Sequence, residues 1–299
     1  MNLIHTVTRE EDGLTLHQLM RGALGLSARQ TKIAKAKGAV TVNAAPFFSN
    51  QPVREGMIVR VELDGYDGSV QSGAAPSDGL RVLYEDDALI AVHKHALLQC
   101  HPSSSMPNGS DTLEARVHHY LGFPAHPVHR LDAETTGVVL FAKLPFAQAR
   151  LQQQMQQDGF HKLYRAWVLG RPLPDTGVID APIARQTPDS FTRVVREDGQ
   201  RAVSRYAVLR TVTVLGCADA SLMELSPVTG RTHQLRVHMT HIGCPLLGDT
   251  RYATARSREI SLALGLSYHQ LSAVSIAFTH PLSGKQMRIE SPEDFAFHP

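Results

Sequence analysis

The chain has 299 residues, of which 42% are hydrophobic and 19% are charged, and its formal net charge is only +2. This composition is that of an ordinary soluble globular protein with room for two domains, and no apolar run is long enough to predict a membrane span. Cys100, Cys217 and Cys244 are scattered, and the first residues mix charges, so we expect a cytoplasmic protein without a disulfide framework or secretory leader. Because the net charge is so small, any affinity for nucleic acid must come from a local patch.

Such a patch lies near the N-terminus, where residues 13–54 contain no Asp or Glu. Apolar residues at helical spacing predict a short helix over residues 16–23. Ser27 with Gln30 three residues later matches a capping box, so a second helix is expected from Ser27 to Gly38. Strands are predicted over residues 39–42 and 57–63, with a turn at Asn43 between them.

The second helix carries four basic residues, Arg29, Lys32, Lys35 and Lys37. Together with the strand that follows it, this segment resembles an S4-type RNA-binding module, which implies that Arg29 and Lys32 contact RNA. The alternative is a solvated basic face on a small α+β unit, since charged helical faces usually do no more than face water. Ala44 and Ala45 stand where the S4 pattern has a Gly-containing turn. We assign residues 1–64 to this small α+β domain.

Residues 65–79 are rich in Gly, Ser and Pro and are predicted to form a flexible linker. The remaining domain, residues 80–299, is predicted to be α+β, because closely spaced strands without intervening helices favour a central antiparallel-rich mixed sheet flanked by helices and loops. Its strands are expected over residues 82–84, 88–92, 162–169, 178–183, 205–213, 221–225, 273–278 and 286–289. Its helices are expected over residues 111–121, 145–159 and 232–242.

A loop between Pro127 and a buried strand carries the sequence His-Arg-Leu-Asp-Ala-Glu-Thr-Thr-Gly over residues 129–137. Loops held by a rigid strand often carry chemistry. Taken alone, however, Asp132 has ordinary structural interpretations, since it could cap a turn through the Thr135 N–H or pair with Arg130 at the surface.

Other motifs give weaker or no support for a metal site or a nucleotide cofactor. His233, His238, His241 and Cys244 lie close in sequence, but His233 and His238 are about 140° apart on a helix, which is poor geometry for one tetrahedral ion. No Walker loop and no Gly-x-Gly-x-x-Gly pattern is present, so the sequence does not support a nucleotide cofactor.

Three ordered blocks resemble the RluA family of pseudouridine synthases. The first is the loop at residues 129–137, the second is Lys-Leu-Tyr-Arg-Ala-Trp-Val-Leu-Gly at 162–170, and the third is Gly-Arg-Thr-His-Gln-Leu-Arg-Val-His at 230–238. The similarity extends over about residues 80–292, and an S4-like segment often precedes this domain in the family. Some positions depart from the family pattern: Thr136 replaces Ser, Cys244 stands where His is common, and Ser272 stands where the closing strand often has His.

The resemblance implies a catalytic carboxylate at Asp132, which acts as nucleophile or stabilises positive charge. It implies that Arg231 is the cation that keeps Asp132 ionised, and that Tyr164 stacks on the base and assists removal of the C5 proton. Leu235 is expected to form an apolar wall beneath the base. Arg130 is expected to enter the space that the flipped base leaves, although it could instead make a structural pair with Asp132 or Glu134.

We therefore expect an RNA pseudouridine synthase that needs no cofactor or metal and acts as a monomer without an obligatory protein partner. Ribosomal RNA, in particular 23S RNA of the large subunit, is favoured over transfer RNA as its substrate. Two rival hypotheses remain: a uridine-modifying enzyme that uses Cys244 as nucleophile, and a non-catalytic RNA-binding protein.

Overall fold

The computed structural model describes residues 2–24, 26, 28–62, 79–102, 107 and 110–299. Its N-terminal unit is a four-stranded sheet covered by two short helices, with the strand order β1-β4-β2-β3. The elements of this unit are β1 (Asn2–Thr6), α1 (Leu16–Arg21), α2 (Ala28–Ala36), β2 (Val40–Val42), β3 (Ala45–Pro46) and β4 (Ile58–Glu62). Both predicted helices and both predicted strands of this unit are present, whereas β1 was not predicted.

Local chemistry explains this unit. Thr15 Oγ1 accepts a hydrogen bond from Gln18 N at 3.2 Å and caps α1. The capping box predicted at Ser27 lies outside the described residues. The β2–β3 hairpin forms without glycine, because Asn43 and Ala44 both adopt positive φ angles of 49° and 64°.

The larger unit is built on a ten-stranded sheet whose main path runs β10-β13-β14-β9-β15-β8-β6-β5, with β16 beside β15 and β7 beside β8. The strands of the larger unit are β5 (Arg81–Glu85), β6 (Leu89–Lys94), β7 (His126–Pro127), β8 (Thr136–Ala142), β9 (Phe160–Leu169), β10 (Thr176–Asp180), β11 (Ile183–Arg185), β12 (Arg193–Val195), β13 (Val203–Val214), β14 (Ala218–Pro227), β15 (Leu271–Thr279) and β16 (Gln286–Glu290). β11 and β12 form a separate two-stranded sheet. The helices of the larger unit are α3 (Leu113–Leu121), α4 (Pro145–Gln156), α5 (Gln234–His241) and α6 (Ala255–Ala263).

All pairings in the large sheet are antiparallel except the one between β8 and β15. The prediction of an antiparallel-rich mixed α+β fold is therefore confirmed. The parallel pairing needs glycine at position 137, where φ is +108° and an added Cβ would lie 2.2 Å from the Ala273 carbonyl oxygen. This close approach fixes the start of β8, and with it the end of the loop that precedes this strand.

Some local predictions differ from the structure. Helix α3 begins at Leu113, two residues later than predicted, because Thr112 Oγ1 accepts from Ala115 N and caps the helix, while Asp111 pairs with Arg116. Helix α6 was not predicted, because its sequence Ala-Arg-Ser-Arg-Glu-Ile-Ser-Leu-Ala has little apolar periodicity and its start is marked only by Thr254. None of the described helices is long and apolar enough to cross a membrane.

The two units touch through one aromatic side chain. Phe146, near the start of α4, is buried in the apolar cluster of the N-terminal unit, and Leu282 packs against the same cluster. The linker predicted at 65–79 lies outside the described residues except for Gly79, so its flexibility stays a prediction.

Candidate active site

A cavity of about 130 Å³ opens between the loop before β8, strand β9 and the loop before α5. It gathers five of the residues predicted from the sequence, which are Arg130, Asp132, Tyr164, Arg231 and Leu235. They come from three separate parts of the chain, so the fold is what makes them neighbours.

The carboxylate of Asp132 does not serve the turn in which it lies. The Thr135 N–H donates to the backbone oxygen of Asp132 at 3.1 Å, which leaves the side chain available. The Oδ2 atom of Asp132 lies 3.2 Å from Arg236 Nη1 and 3.8 Å from His233 Nε2, and the side chain is about one-third exposed to the cavity. Neither structural alternative from the sequence, a side-chain cap or a pair with Arg130, is found.

The cation that faces Asp132 is Arg236, and the prediction that Arg231 makes this ion pair is wrong. Arg231 lines the cavity, but it is exposed and its Nε donates to the Arg201 carbonyl oxygen at 3.0 Å. The two arginines stand five residues apart in one motif. Helix α5 begins at Gln234, so Arg236 projects from its first turn while Arg231 remains in the preceding loop.

Arg236 is itself held from behind by Asp249. Its Nε and Nη2 donate to the two Asp249 oxygens at 2.7 and 2.9 Å, and both side chains are almost fully buried. Burial opposes the charge on Arg236, but the hydrogen bonds and charges of Asp249 and Asp132 raise its pKa above the ordinary value. The guanidinium is therefore a fixed positive charge, locked in orientation by a carboxylate that sequence reasoning did not assign to the site.

His233 is the second neighbour of Asp132 and is uncharged. It adopts a left-handed backbone with φ 58° before α5, and its Nδ1 lies 2.7 Å from the Tyr252 hydroxyl. Burial, reinforced by nearby arginines and only partly opposed by Asp132, lowers the pKa of His233 to about 4. At neutral pH Asp132 thus faces one cation and one neutral imidazole.

The loop that carries Asp132 is anchored on both sides. Five buried or partly buried contacts reach its backbone and side chains. Lys94 Nζ donates to the Ala133 oxygen at 2.6 Å, the Leu131 amide donates to Cys100 Sγ at 3.3 Å, and Thr136 Oγ1 donates to the Asp294 oxygen at 3.0 Å. His269 contacts Thr135 Oγ1 and Glu134 Oε2, each at 2.8 Å. This network keeps Asp132 in place before any ligand binds.

Tyr164 and Leu235 give the cavity a largely apolar wall, and both are buried. Burial, with a smaller contribution from the Asp132 charge, raises the pKa of Tyr164 well above its ordinary value, so the phenol stays protonated. Lys162, two residues before Tyr164, also lines the cavity, and burial lowers its pKa. The space therefore suits a flat, uncharged ring beside a carboxylate, with positive charge at its edge.

Arg130 stands at the mouth of the cavity. It is exposed, and its Nη1 lies 2.9 Å from Nε2 of His101, which accepts the hydrogen bond when that nitrogen is unprotonated. Glu134, the other structural partner considered for Arg130, pairs with His269 instead.

The two remaining predicted residues, Arg29 and Lys32, lie on α2 in the N-terminal unit. Lys32 is exposed, while the side chain of Arg29 is outside the described residues. Lys32 does not line the cavity.

The histidines near α5 do not form a metal cluster in the described part of the chain. His238 is fully buried, with Nδ1 at 2.9 Å from Ser204 Oγ and Nε2 at 3.0 Å from the Ala181 oxygen. Cys244 is buried, and burial raises the pKa of its thiol. These contacts are structural, which agrees with the helical geometry argument.

Comparison with known proteins identifies relatives of one kind. Residues 88–241 match the family model described as RNA pseudouridylate synthase. The chain is 31% identical over 279 residues to an RNA pseudouridine synthase from Mycobacterium bovis, a match that covers 90% of this chain and 87% of that protein. It is 37% identical over 260 residues to ribosomal large subunit pseudouridine synthase D from Nitrosomonas europaea, covering 85% and 73% of the two chains.

A solved structure with a similar fold is that of human RNA pseudouridylate synthase domain containing 1. It superposes with a TM-score of 0.61 at 22% identity and covers 73% of this chain and 85% of that chain. At this level of identity the likeness concerns the fold alone.

Proposed function

The chain belongs to the RNA pseudouridylate synthase family, and from that premise we propose that its substrate is large-subunit ribosomal RNA, the 23S RNA. Enzymes of this family convert uridine in RNA to pseudouridine: the N1–C1′ bond breaks, the uracil turns, and a C5–C1′ bond forms with loss of the C5 proton. The match to a synthase named for the large ribosomal subunit supports the choice of ribosomal RNA over transfer RNA.

The observation that carries the proposed mechanism is the position of Asp132. Its carboxylate lines the same cavity as the buried side chains of Tyr164 and Leu235, and it is paired with a guanidinium that Asp249 holds in a fixed orientation. We propose that Asp132 is the catalytic carboxylate, which attacks the substrate or stabilises the positive charge that develops as the glycosidic bond breaks. Arg236 supplies the positive charge that faces this carboxylate in a site from which the RNA excludes water.

Tyr164 and Leu235 are proposed to hold the uracil ring. The Tyr164 ring offers a face for stacking, and its hydroxyl is proposed to assist removal of the C5 proton. Leu235, on the first turn of α5, supplies the apolar floor.

The target uridine must leave the RNA stack to reach Asp132, at a cost of a few kcal/mol. We propose that Arg130 enters the space left by the base, because it is exposed beside the cavity and a planar guanidinium can stack on the neighbouring bases. The hydrogen bond from Arg130 to His101 orients the side chain before RNA arrives.

The N-terminal unit is proposed to act as an S4-like RNA-binding domain that raises affinity in a salt-dependent way. Lys32 and Lys35 are exposed on the same helix as Arg29, in a unit whose residues 13–54 contain no acidic side chain. We further propose that the protein acts in the cytoplasm as a single chain. Its three cysteines are free, as is usual for proteins of a reducing compartment.

The test replaces Asp132 with Asn, which keeps the shape of the side chain and removes its charge. Release of tritium from C5-labelled uridine in ribosomal RNA should fall to background, while RNA binding persists. Cys244→Ser should retain activity, because the Cys244 thiol is buried and its pKa is raised. An active Asp132→Asn variant with an inactive Cys244→Ser variant would favour the cysteine mechanism, and RNA binding without any pseudouridine from the unaltered protein would favour the non-catalytic hypothesis.

The choice of RNA has its own test. Pseudouridine mapping across all RNAs of cells that lack the protein should show loss of modification at one or a few uridines of 23S RNA. Loss confined to transfer RNA would instead make transfer RNA the substrate and would leave the catalytic assignment intact.

A further inference from the structure

Two histidines and an aspartate meet at the end of β6, away from the cavity. His93 Nε2 lies 3.0 Å and His95 Nδ1 lies 3.2 Å from the same oxygen, Oδ2 of Asp294. One potential ligand atom from each of the three residues lies within 4.8 Å of the other two. This grouping joins parts of the chain about 200 residues apart, and neither part carries a recognisable metal motif in sequence.

Both distances to Asp294 are hydrogen-bond distances, and they also match the spacing between ligand atoms around a small metal ion. Ligands bound to Zn²⁺ at about 2.0–2.1 Å in a tetrahedron are separated from one another by about 3.3 Å. The two distances to Asp294 Oδ2 are close to that edge length, so an ion fits with small side-chain adjustments.

The surroundings of His93 strengthen this interpretation. Its side chain is 1% exposed, and its other ring nitrogen, Nδ1, lies 2.7 Å from Ser291 Oγ. A polar partner on the distal nitrogen is the usual support of a metal-bound imidazole, because it fixes the tautomer and the ring orientation. His95 and Asp294 are partly exposed, which leaves an entry path and a position for water as a fourth ligand.

We propose that His93, His95 and Asp294 form a binding site for a divalent transition-metal ion of the zinc class. Two imidazoles with one carboxylate suit Zn²⁺, Co²⁺, Ni²⁺ or Cu²⁺ and do not suit Mg²⁺ or Ca²⁺, which prefer oxygen ligands alone. Arg81 lies opposite His93 in the β5–β6 register, but it is exposed, so solvent screens its charge.

The ion would act as a structural clamp on the loop that carries Asp132. His93 and His95 flank Lys94, which donates to the Ala133 oxygen, and the backbone oxygen of Asp294 accepts from Thr136 Oγ1. A metal bridge between β6 and the C-terminal segment therefore connects the two anchors at the ends of this loop. It stabilises the folded state by mass action, without taking part in the chemistry.

The experiment uses the full chain, freed of metal by a chelator that is then removed. Titration with Zn²⁺ by calorimetry should show one tight equivalent and raise the melting temperature, and Co²⁺ should give the visible absorption of a low-symmetry nitrogen and oxygen site. Mg²⁺ should neither bind there nor displace Co²⁺.

Variants assign the site. His95→Ala and Asp294→Asn, both at partly exposed positions, should lose the tight equivalent and the Co²⁺ spectrum. Ser291→Ala should weaken Zn²⁺ binding by about tenfold or more, through loss of the support to His93. His161→Ala is the matched control, since His161 forms an exposed pair with Asp158 at 3.9 Å and has no third ligand beside it in the described structure.

The proposal is overturned if the unaltered protein shows no saturable one-to-one binding of Zn²⁺ or Co²⁺. It is equally overturned if Asp294→Asn and His95→Ala, with circular dichroism spectra like that of the unaltered protein, bind Zn²⁺ as tightly as it does. Neither outcome depends on whether ribosomal RNA is the substrate.

Discussion

Arg236 Nη1 lies 3.2 Å from Asp132 Oδ2, while the rest of the same guanidinium is clamped by Asp249. One arginine thus links a buried carboxylate to the carboxylate that faces the cavity. The two acids therefore differ in role: Asp249 holds the Arg236 guanidinium in one orientation, and Asp132 receives the hydrogen bond that this orientation provides.

Substitution Arg236→Lys should separate geometry from charge. Lysine keeps the positive charge but cannot donate to both carboxylates in the planar arrangement of a guanidinium, so kcat should fall by about 100-fold or more. The unfolding free energy should fall by about 1.5–3 kcal/mol, because buried Asp249 loses at least one charge-assisted hydrogen bond.

The matched control for this experiment is Arg231→Lys. The side chain of Arg231 is exposed and donates to the Arg201 backbone oxygen, so stability should change by less than about 0.5 kcal/mol. Tritium-release kinetics and urea unfolding measure both quantities. A larger loss of kcat in Arg231→Lys than in Arg236→Lys would restore the assignment made from the sequence.

Tyr164→Phe should retain RNA binding within about twofold and lower kcat by about 100-fold, because it keeps the ring face and removes the hydroxyl that we propose assists removal of the C5 proton. Burial and the nearby Asp132 charge raise the pKa of Tyr164, so the phenolate is not populated near neutrality. The rate of the unaltered enzyme should therefore not increase from about pH 7 to about pH 9 as a tyrosine titrates.

Single-turnover rates over this pH range measure the effect, with Tyr206→Phe as control. Tyr206 lies on β13 outside the cavity and its hydroxyl donates to the Pro174 oxygen. A rate that rises with pH, and a rise that disappears in Tyr164→Phe, would show instead that the phenolate is the active base.

Gly137→Ala should be severely destabilising. The new Cβ would lie 2.2 Å from the Ala273 backbone oxygen, and the φ of +108° is unfavourable for alanine, so the β8–β15 pairing must separate. We expect a loss of more than about 3 kcal/mol. Gly243→Ala has a similar positive φ of +80° but open space around its Cβ, and it should lose only about 1 kcal/mol. Equal losses in the two variants, measured by urea unfolding, would contradict the steric argument.

The sequence predicted the class of sheet, most of the elements and five of the residues that line the cavity, because apolar strand segments bounded by turn residues and ordered motifs are local signals. It assigned the ion pair to the wrong arginine, because that assignment rested on a motif resemblance, and the motif does not show which guanidinium Asp249 holds against Asp132. The loop that carries Asp132 is supported by residues far away in sequence, which are Asp249, His269 and Lys94. Such long-range contacts cannot be inferred from the spacing of residues in the sequence. The His93, His95 and Asp294 cluster escaped for the same reason.

Two buried histidines make the fold sensitive to mild acid. Burial, with a smaller effect of the Lys162 charge, lowers the pKa of His129 to about 3, and burial lowers that of His233 to about 4. Both pKa values lie below the pKa of about 6.5 that histidine has in the unfolded chain. Between the folded and the unfolded pKa of each histidine, the unfolded chain therefore binds more protons than the folded protein. The stability contributed by these two groups is therefore complete above about pH 6.5 and decreases as the pH falls toward about 4.

His129→Gln tests this dependence, because a glutamine amide oxygen can accept from Leu140 N as His129 Nε2 does, and it does not titrate. Urea unfolding between about pH 6.5 and about pH 5 avoids the range in which carboxylates titrate. Over this interval the unfolding free energy of the variant should fall by about 1–2 kcal/mol less than that of the unaltered protein. His161→Gln, at an exposed site, should follow the unaltered protein. If His129→Gln instead lost stability in parallel with the unaltered protein, His129 would have to carry its proton in the folded state, against the desolvation that its burial imposes.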